Sequence, residues 1–93
     1  MSSVGLTVVD LTEAQRKDLK VRGGVRVDAA EGAAARAGLR PGDVILSIDN
    51  TEVVDAKQFS TLMAKAETEK SVSLLVRRGE LVRTLTLIPA ASV

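Results

Sequence analysis

The chain has 93 residues, 45% of them hydrophobic, with 13 Lys plus Arg against 12 Asp plus Glu. That is the length of one domain with enough apolar content for a core, and the near balance of charge excludes a general polyanion binder. With no Cys, no His and Phe59 as the single aromatic residue, disulfides, thiolate nucleophiles, His-based triads, zinc-thiolate sites and base-stacking platforms are excluded too.

In chain order, Leu6-Thr7-Val8-Val9 reads as a short strand, β-branched and partly alternating. Thr12 stands three residues before Gln15, the spacing of a capping box, and predicts a short polar helix from Glu13 to about Leu19. Its Arg16, Lys17, Asp18 and Lys20 read as a solvated face. Gly23-Gly24 breaks the chain, and Val25 to Val27 is a second short strand. Glu31-Gly32 turns into a small helix, Ala33-Ala34-Ala35-Arg36-Ala37, ended by Gly38. Arg40-Pro41-Gly42-Asp43 is a tight turn.

Val44 to Ile48 is apolar at nearly every position, so a central strand buried on both faces is expected. Asp49-Asn50 signals a turn, followed by a stub strand around Glu52-Val53-Val54. Asp55 is the expected N-cap of a helix from Ala56 to about Ala66. On it, Phe59, Leu62, Met63 and Ala66 form one apolar stripe. Ser71 to Arg77 is a strand with Val72, Leu74 and Val76 on one face. Arg78-Gly79-Glu80 turns into a return strand, Leu81 to Leu87, with Leu85 and Leu87 on one face and Thr84 and Thr86 on the other. Pro89 ends it. The expected fold is therefore mainly β with two to three short helices, a small five- to six-stranded partly open barrel or sandwich.

No catalytic residue is identified. Ser and Thr hydroxyls have no His partner, and Ser60 near Lys57 or Lys65 reads as ordinary helix surface. Asp49, Glu52 and Asp55 lack EF-hand spacing, and turn and N-cap duty account for Asp49 and Asp55. Gly23-Gly24 has no phosphate-loop pattern after it. No metal site and no cofactor are expected.

One constellation remains. Ser3-Val4-Gly5-Leu6 places a flexible turn before a short strand. The open edge of that strand would offer backbone N–H and C=O groups, and a turn centred on Gly can aim N–H groups at an anion. Beside the apolar stripe of the 56–66 helix, this makes a slot for a peptide C-terminus added as an extra strand.

Several segments together resemble a PDZ domain, in the permuted bacterial form found in HtrA/Do-type (DegP/MucD-like) periplasmic serine proteases. Ala33-Ala34-Ala35-Arg36-Ala37-Gly38-Leu39-Arg40-Pro41-Gly42-Asp43-Val44-Ile45 is similar to that family's small helix followed by A-G-L-x-P-G-D-x-I. The opening Gly5 to Thr12 and the Val76-Arg77-Arg78-Gly79 hairpin are similar to the C-terminal PDZ domain of such enzymes. The domain is expected to span residues 4–89, with 1–3 and 90–93 as flexible ends of a piece of a longer protein. No signal peptide is visible, and no apolar run reaches the ~20 residues needed to span a bilayer.

The resemblance implies a non-catalytic module of a serine endopeptidase, periplasmic and active in protein quality control. N–H groups of Val4, Gly5 and Leu6 would receive a ligand's terminal carboxylate. Ser3 stands where the family often has its first loop Gly. Leu6, Thr7, Val8 and Val9 would pair antiparallel with the ligand. Val4, Leu6 and Val8 would line an apolar pocket with Phe59, Leu62, Met63 and Ala66. The implied partners are apolar C-termini of unfolded or misfolded proteins and the protease domain of the parent chain, with no nucleic acid and no membrane insertion. The alternative is an assembly module making protomer contacts in a protease oligomer, its groove idle. The 13–20 helix and Arg77-Arg78 are its candidate docking surfaces. If Gly5 sits in the anion-binding turn rather than in a core turn, Gly5→Val is expected to abolish ligand binding with less effect on folding.

Overall fold

The computed structural model describes residues 5–66 and 71–88. The elements in chain order are β1 (Leu6–Asp10), α1 (Glu13–Leu19), β2 (Val25–Ala30), α2 (Gly32–Ala37), β3 (Val44–Ile48), β4 (Thr51–Glu52), α3 (Ala56–Ala66), β5 (Val72–Arg78) and β6 (Leu81–Leu87). This is the expected mainly β architecture with three short helices. The strands make one antiparallel sheet in the order β1-β2-β3-β5-β6, with β4 paired to β3. The sheet is open, and β1 and β6 are its two ends.

Local chemistry sets most of these boundaries. Thr12 Oγ1 accepts from Gln15 N at 3.0 Å and Gln15 Oε1 accepts from Thr12 N at 2.9 Å, so α1 starts with the predicted capping box. Lys20 ends it in the left-handed conformation. Gly38, at φ 104°, ends α2 by donating to Ala34 and Ala35 carbonyls. Asp49 and Asn50, both at positive φ, form the β3–β4 turn. β2 runs three residues past the expected Val27, because Ala29 and Ala30 pair with Thr7 and Leu6. A tertiary partner here makes strand out of residues with weak strand preference. The β3 expectation is met in part. Val44, Ile45 and Ile48 are buried, whereas Leu46 and Ser47 are half-buried.

The main core lies between the sheet and α3. Val25, Val27, Ile45, Val72, Leu74, Leu87, Phe59 and Met63 are all buried within it. The alternation expected for Val72, Leu74 and Val76 holds, with each buried and Ser73 exposed. α1 has no buried residue and covers the other sheet face near Leu11 and Val44.

The turn before β3 is locked by a charged pair. Asp43 is 2% exposed. Arg78 Nε donates to Asp43 Oδ1 at 2.8 Å, and Arg78 Nη2 donates to Asp43 Oδ2 at 2.7 Å and to Gly38 O at 2.7 Å. Arg40 N adds a 3.1 Å bond to the same carboxylate. Burial pushes the Asp43 carboxyl up. The hydrogen bonds from Arg78 and Arg40 and their positive charges outweigh it and hold it below the ordinary aspartate value. The backbone of this turn closes onto β2, with Val27 N donating to Asp43 O and Gly42 N to Val27 O.

Arg77 is also committed. Its Nη1 donates to Leu19 O at 2.6 Å, at the carboxyl end of α1, and its Nε to Gly79 O at 2.9 Å. The arginines of the expected docking hairpin are thus engaged inside the fold.

Candidate functional site: the β1 edge and helix α3

Strand β1 hydrogen-bonds to β2 and, among the described residues, to no other strand. Its neighbour on the core side is α3, with which it makes direct contact. Leu6 is buried in the core, Thr7, Val8 and Val9 are half-buried, and Asp10 is exposed. Val8 packs on the core from its margin.

At the amino end of β1, Gly5 adopts φ 82°, a conformation that glycine takes without steric cost. Its carbonyl accepts from Glu31 N at 2.8 Å. A Cβ built on Gly5 would collide with the Glu31 carbonyl oxygen. Gly5 is therefore backed against the β2–α2 junction. This corrects the expectation for Gly5→Val: the added side chain collides with backbone, so the fold suffers along with any site built on the turn. Val4 lies outside the described residues.

At the other end, Asp10 Oδ1 accepts from Ala56 N at 2.6 Å. This bond joins the carboxyl end of β1 to the first turn of α3. Asp55 caps the same helix as expected, with Gln58 N donating to its Oδ1 at 2.7 Å. Gln58 in turn accepts from Val54 N through Oε1. The amino end of α3 is thus held beside the end of β1, and the two elements run past each other in opposite senses. Nothing local in the sequence points to Asp10. An acidic residue closing a strand carries no local signal that its partner lies 46 residues away.

The four stripe residues of α3 divide. Phe59, Met63 and Ala66 are 2%, 1% and 6% exposed and belong to the core. Leu62 is half-buried and lines a shallow depression with Ile48, Asp49, Thr51 and Lys65 beside the β3–β4 turn. Ala56 and Ser60 share a face with Met63 at i, i+4 and i+7 spacing. Ala56 is half-buried and Ser60 exposed, so this flank offers small side chains next to a buried methionine. Sequence reading takes Ser60 as helix surface, and it is exposed on α3.

Two of the acidic trio, Asp49 and Asp55, have structural duties. Asp49 Oδ1 accepts from Ser73 N at 2.9 Å and Asp55 caps α3. Among the described residues no group of three His, Cys, Asp or Glu side chains is placed to hold a metal ion. No described helix is long and apolar enough to cross a membrane.

Comparison with known proteins places these features in a family. Residues 24–78 match the family model described as PDZ domain. A protein of Pseudomonas putida (strain W619) named "Probable periplasmic serine endoprotease DegP-like" is 42% identical over 76 residues, which cover 81% of this chain and 16% of that protein. A protein of the same name from Hahella chejuensis (strain KCTC 2396) is 38% identical over 78 residues, covering 83% and 17%. The chain thus spans about one sixth of the length of these relatives. Among solved structures, the HtrA-type protease AlgW with decapeptide superposes with a TM-score of 0.75 at 32% identity, covering 91% of this chain and 27% of that one. The HtrA3 PDZ domain bound to a phage-derived ligand superposes with a TM-score of 0.74 at 23% identity, covering 91% and 81%.

Proposed function

The chain belongs to the PDZ domain family, and from that premise we propose that it captures the free C-termini of unfolded or misfolded proteins for a DegP-like periplasmic serine endoprotease of which it is the peptide-binding module. The observation that carries this reading is the placement of β1. It ends the sheet, pairs on one side with β2, and lies against α3. A peptide added antiparallel to the Thr7–Val9 segment would continue the sheet.

The orientation follows from the two ends of β1. Gly5 sits at the amino end in a left-handed turn, and turns of this kind can point N–H groups at an anion. The ligand carboxylate would sit there, over Val4, Gly5 and Leu6, with the ligand chain running toward Asp10. Its last side chain would pack on Val8 and on the margin of α3 formed by Ala56 and Ser60, above the buried Leu6, Phe59, Met63 and Ala66. Leu62 would serve the edge nearest the β3–β4 turn. The Val8, Ala56 and Ser60 side chains carry no charge, so an apolar terminal residue is expected. The peptides in the AlgW structures support the same reading for a relative at 32% identity.

The expected affinity is modest. Three or four backbone hydrogen bonds contribute roughly 2–6 kcal/mol net, and one buried apolar side chain about 1.5–3 kcal/mol. Ordering costs leave binding on the order of micromolar to millimolar. Weak capture suits a module tethered to a protease, where linkage raises the effective concentration of substrate.

The test is titration of fluorescent peptides ending in Val or Leu, each made with a free and an amidated C-terminus. The free acids should bind the tighter by tenfold or more, about the worth of one charge-assisted hydrogen bond. Equal binding of the two forms overturns carboxylate capture.

A further inference from the structure

On the sheet face turned away from α3, directly paired residues run in one row: Val9 with Arg26, Arg26 with Val44, and Val44 with Arg77. Paired residues project to the same side of a sheet, so two arginines flank Val44. Helix α1 and this row together border a half-open cavity of about 260 Å³, whose lining includes Leu11, Asp18, Leu19, Arg26, Val44 and Arg77. Two of these groups are cationic and one is anionic. Among the described residues Asp18 forms an ion pair with neither arginine.

The two arginines differ in what they do. Arg77 uses Nη1 and Nε to hold the carbonyls of Leu19 and Gly79. Arg26 Nε is buried and has no acceptor. A buried guanidinium donor without a protein acceptor is uncommon, because burial strips its hydration without return. The Arg26 side chain, half-buried as a whole, also lines the cavity, whose ionised groups are net positive and whose apolar lining includes Leu11, Leu19 and Val44.

We propose that this cavity binds a carboxylate carried on a short aliphatic chain, with the guanidinium of Arg26 donating hydrogen bonds to the carboxylate and the methylene groups packing on Leu11, Leu19 and Val44. The planar fork of Arg suits a carboxylate. The apolar lining favours an organic acid over inorganic phosphate, and Asp18 disfavours a dianion. A free short-chain acid and the side chain of a glutamate share this chemistry. The site lies on the face opposite the β1–α3 groove and does not rest on the peptide reading.

The experiment uses the 15N-labelled domain with three probes at constant ionic strength: sodium butyrate, N-acetylglutamate α-amide blocked at both ends, and inorganic phosphate. Butyrate, the blocked glutamate or both should shift the amides of Leu11, Gln15, Leu19 and Arg26 and the Arg26 Nε–H signal saturably. Which of the two carboxylates acts identifies the source. Shifts at Gly5 to Val9 report the groove separately. Arg26→Met keeps the aliphatic stem and should weaken binding at least about tenfold while leaving the melting temperature unchanged or higher, since it removes an unsatisfied donor. Asp18→Asn should tighten binding about threefold. The proposal is overturned by absence of saturable shifts with either carboxylate up to ~100 mM. Phosphate binding equal to the carboxylates, unchanged binding by Arg26→Met, or a clear fall in its melting temperature would each overturn it as well.

Discussion

The Asp10 carboxylate accepts a 2.6 Å hydrogen bond from the backbone N–H of Ala56, so the last residue of the edge strand also caps the helix beside it. The bond fixes the distance between β1 and α3 at one end, and with it the width of the slot in which a peptide strand would lie. Asp10→Ala removes a helix-cap acceptor and should cost about 1 kcal/mol, a fall in melting temperature of roughly 4–8 °C. Peptide affinity should fall further than that loss alone implies. Calorimetry of the free domain and peptide titration, run on the same variant, separate the two effects.

Gly5→Ala should destabilise the free domain. Positive φ alone costs a residue with Cβ about 1–2 kcal/mol, and the collision with Glu31 O adds to it. Urea unfolding should show a lower midpoint with an unchanged slope. A variant as stable as the parent would place Gly5 in a looser turn than the one described.

Ser60 and Met63 share a helix face and differ in burial, which separates groove from core. Met63→Ala should cost about 2–5 kcal/mol through the cavity it leaves. Ser60→Leu, at an exposed position, should change stability by no more than about 0.5 kcal/mol and still alter which terminal residue the peptide prefers. A peptide profile unmoved by Ser60→Leu would take this flank of α3 out of the site.

The Asp43–Arg78 pair gives the domain a defined acid response. The Asp43 pKa is lowered on folding from its ordinary value of 3.8, so the folded state binds the proton less readily than the unfolded chain. Its stabilisation is complete above about pH 4 and is lost as pH falls through the lower folded value. Asp43→Asn should lower the melting temperature by a constant amount between about pH 5 and 8, and the gap to the parent should narrow below about pH 4. A gap that persists unchanged at the lowest accessible pH would mean that the carboxylate charge contributes nothing.

Much of the fold was legible because it depends on chain neighbours. Thr12 and Gln15, Asp55 and Gln58, and Gly38 act within four residues of their partners. Alternation in Val72, Leu74 and Val76 needed only the pleat of a strand. The site was legible in outline, since Gly5 before Leu6-Thr7-Val8-Val9 marks a turn and a strand whatever packs against them. Exposure within the α3 stripe was not, because an apolar helix face has the same spacing whether it meets a core or a ligand. Within that one stripe Phe59, Met63 and Ala66 are buried and Leu62 is half-buried.

The sequence by itself determined where helices begin and end, which residues turn the chain, and that no group was present to catalyse by histidine or thiolate. Tertiary structure decided that Arg77 reaches Leu19, that Arg78 clamps Asp43, that Asp10 caps α3 and that Gly5 is pressed against Glu31. These contacts span 58, 35, 46 and 26 residues of chain. A short-range rule can specify a cap or a turn because its partners are already close. Contacts between distant segments exist only once the sheet has been assembled and has brought their polar groups out of water together.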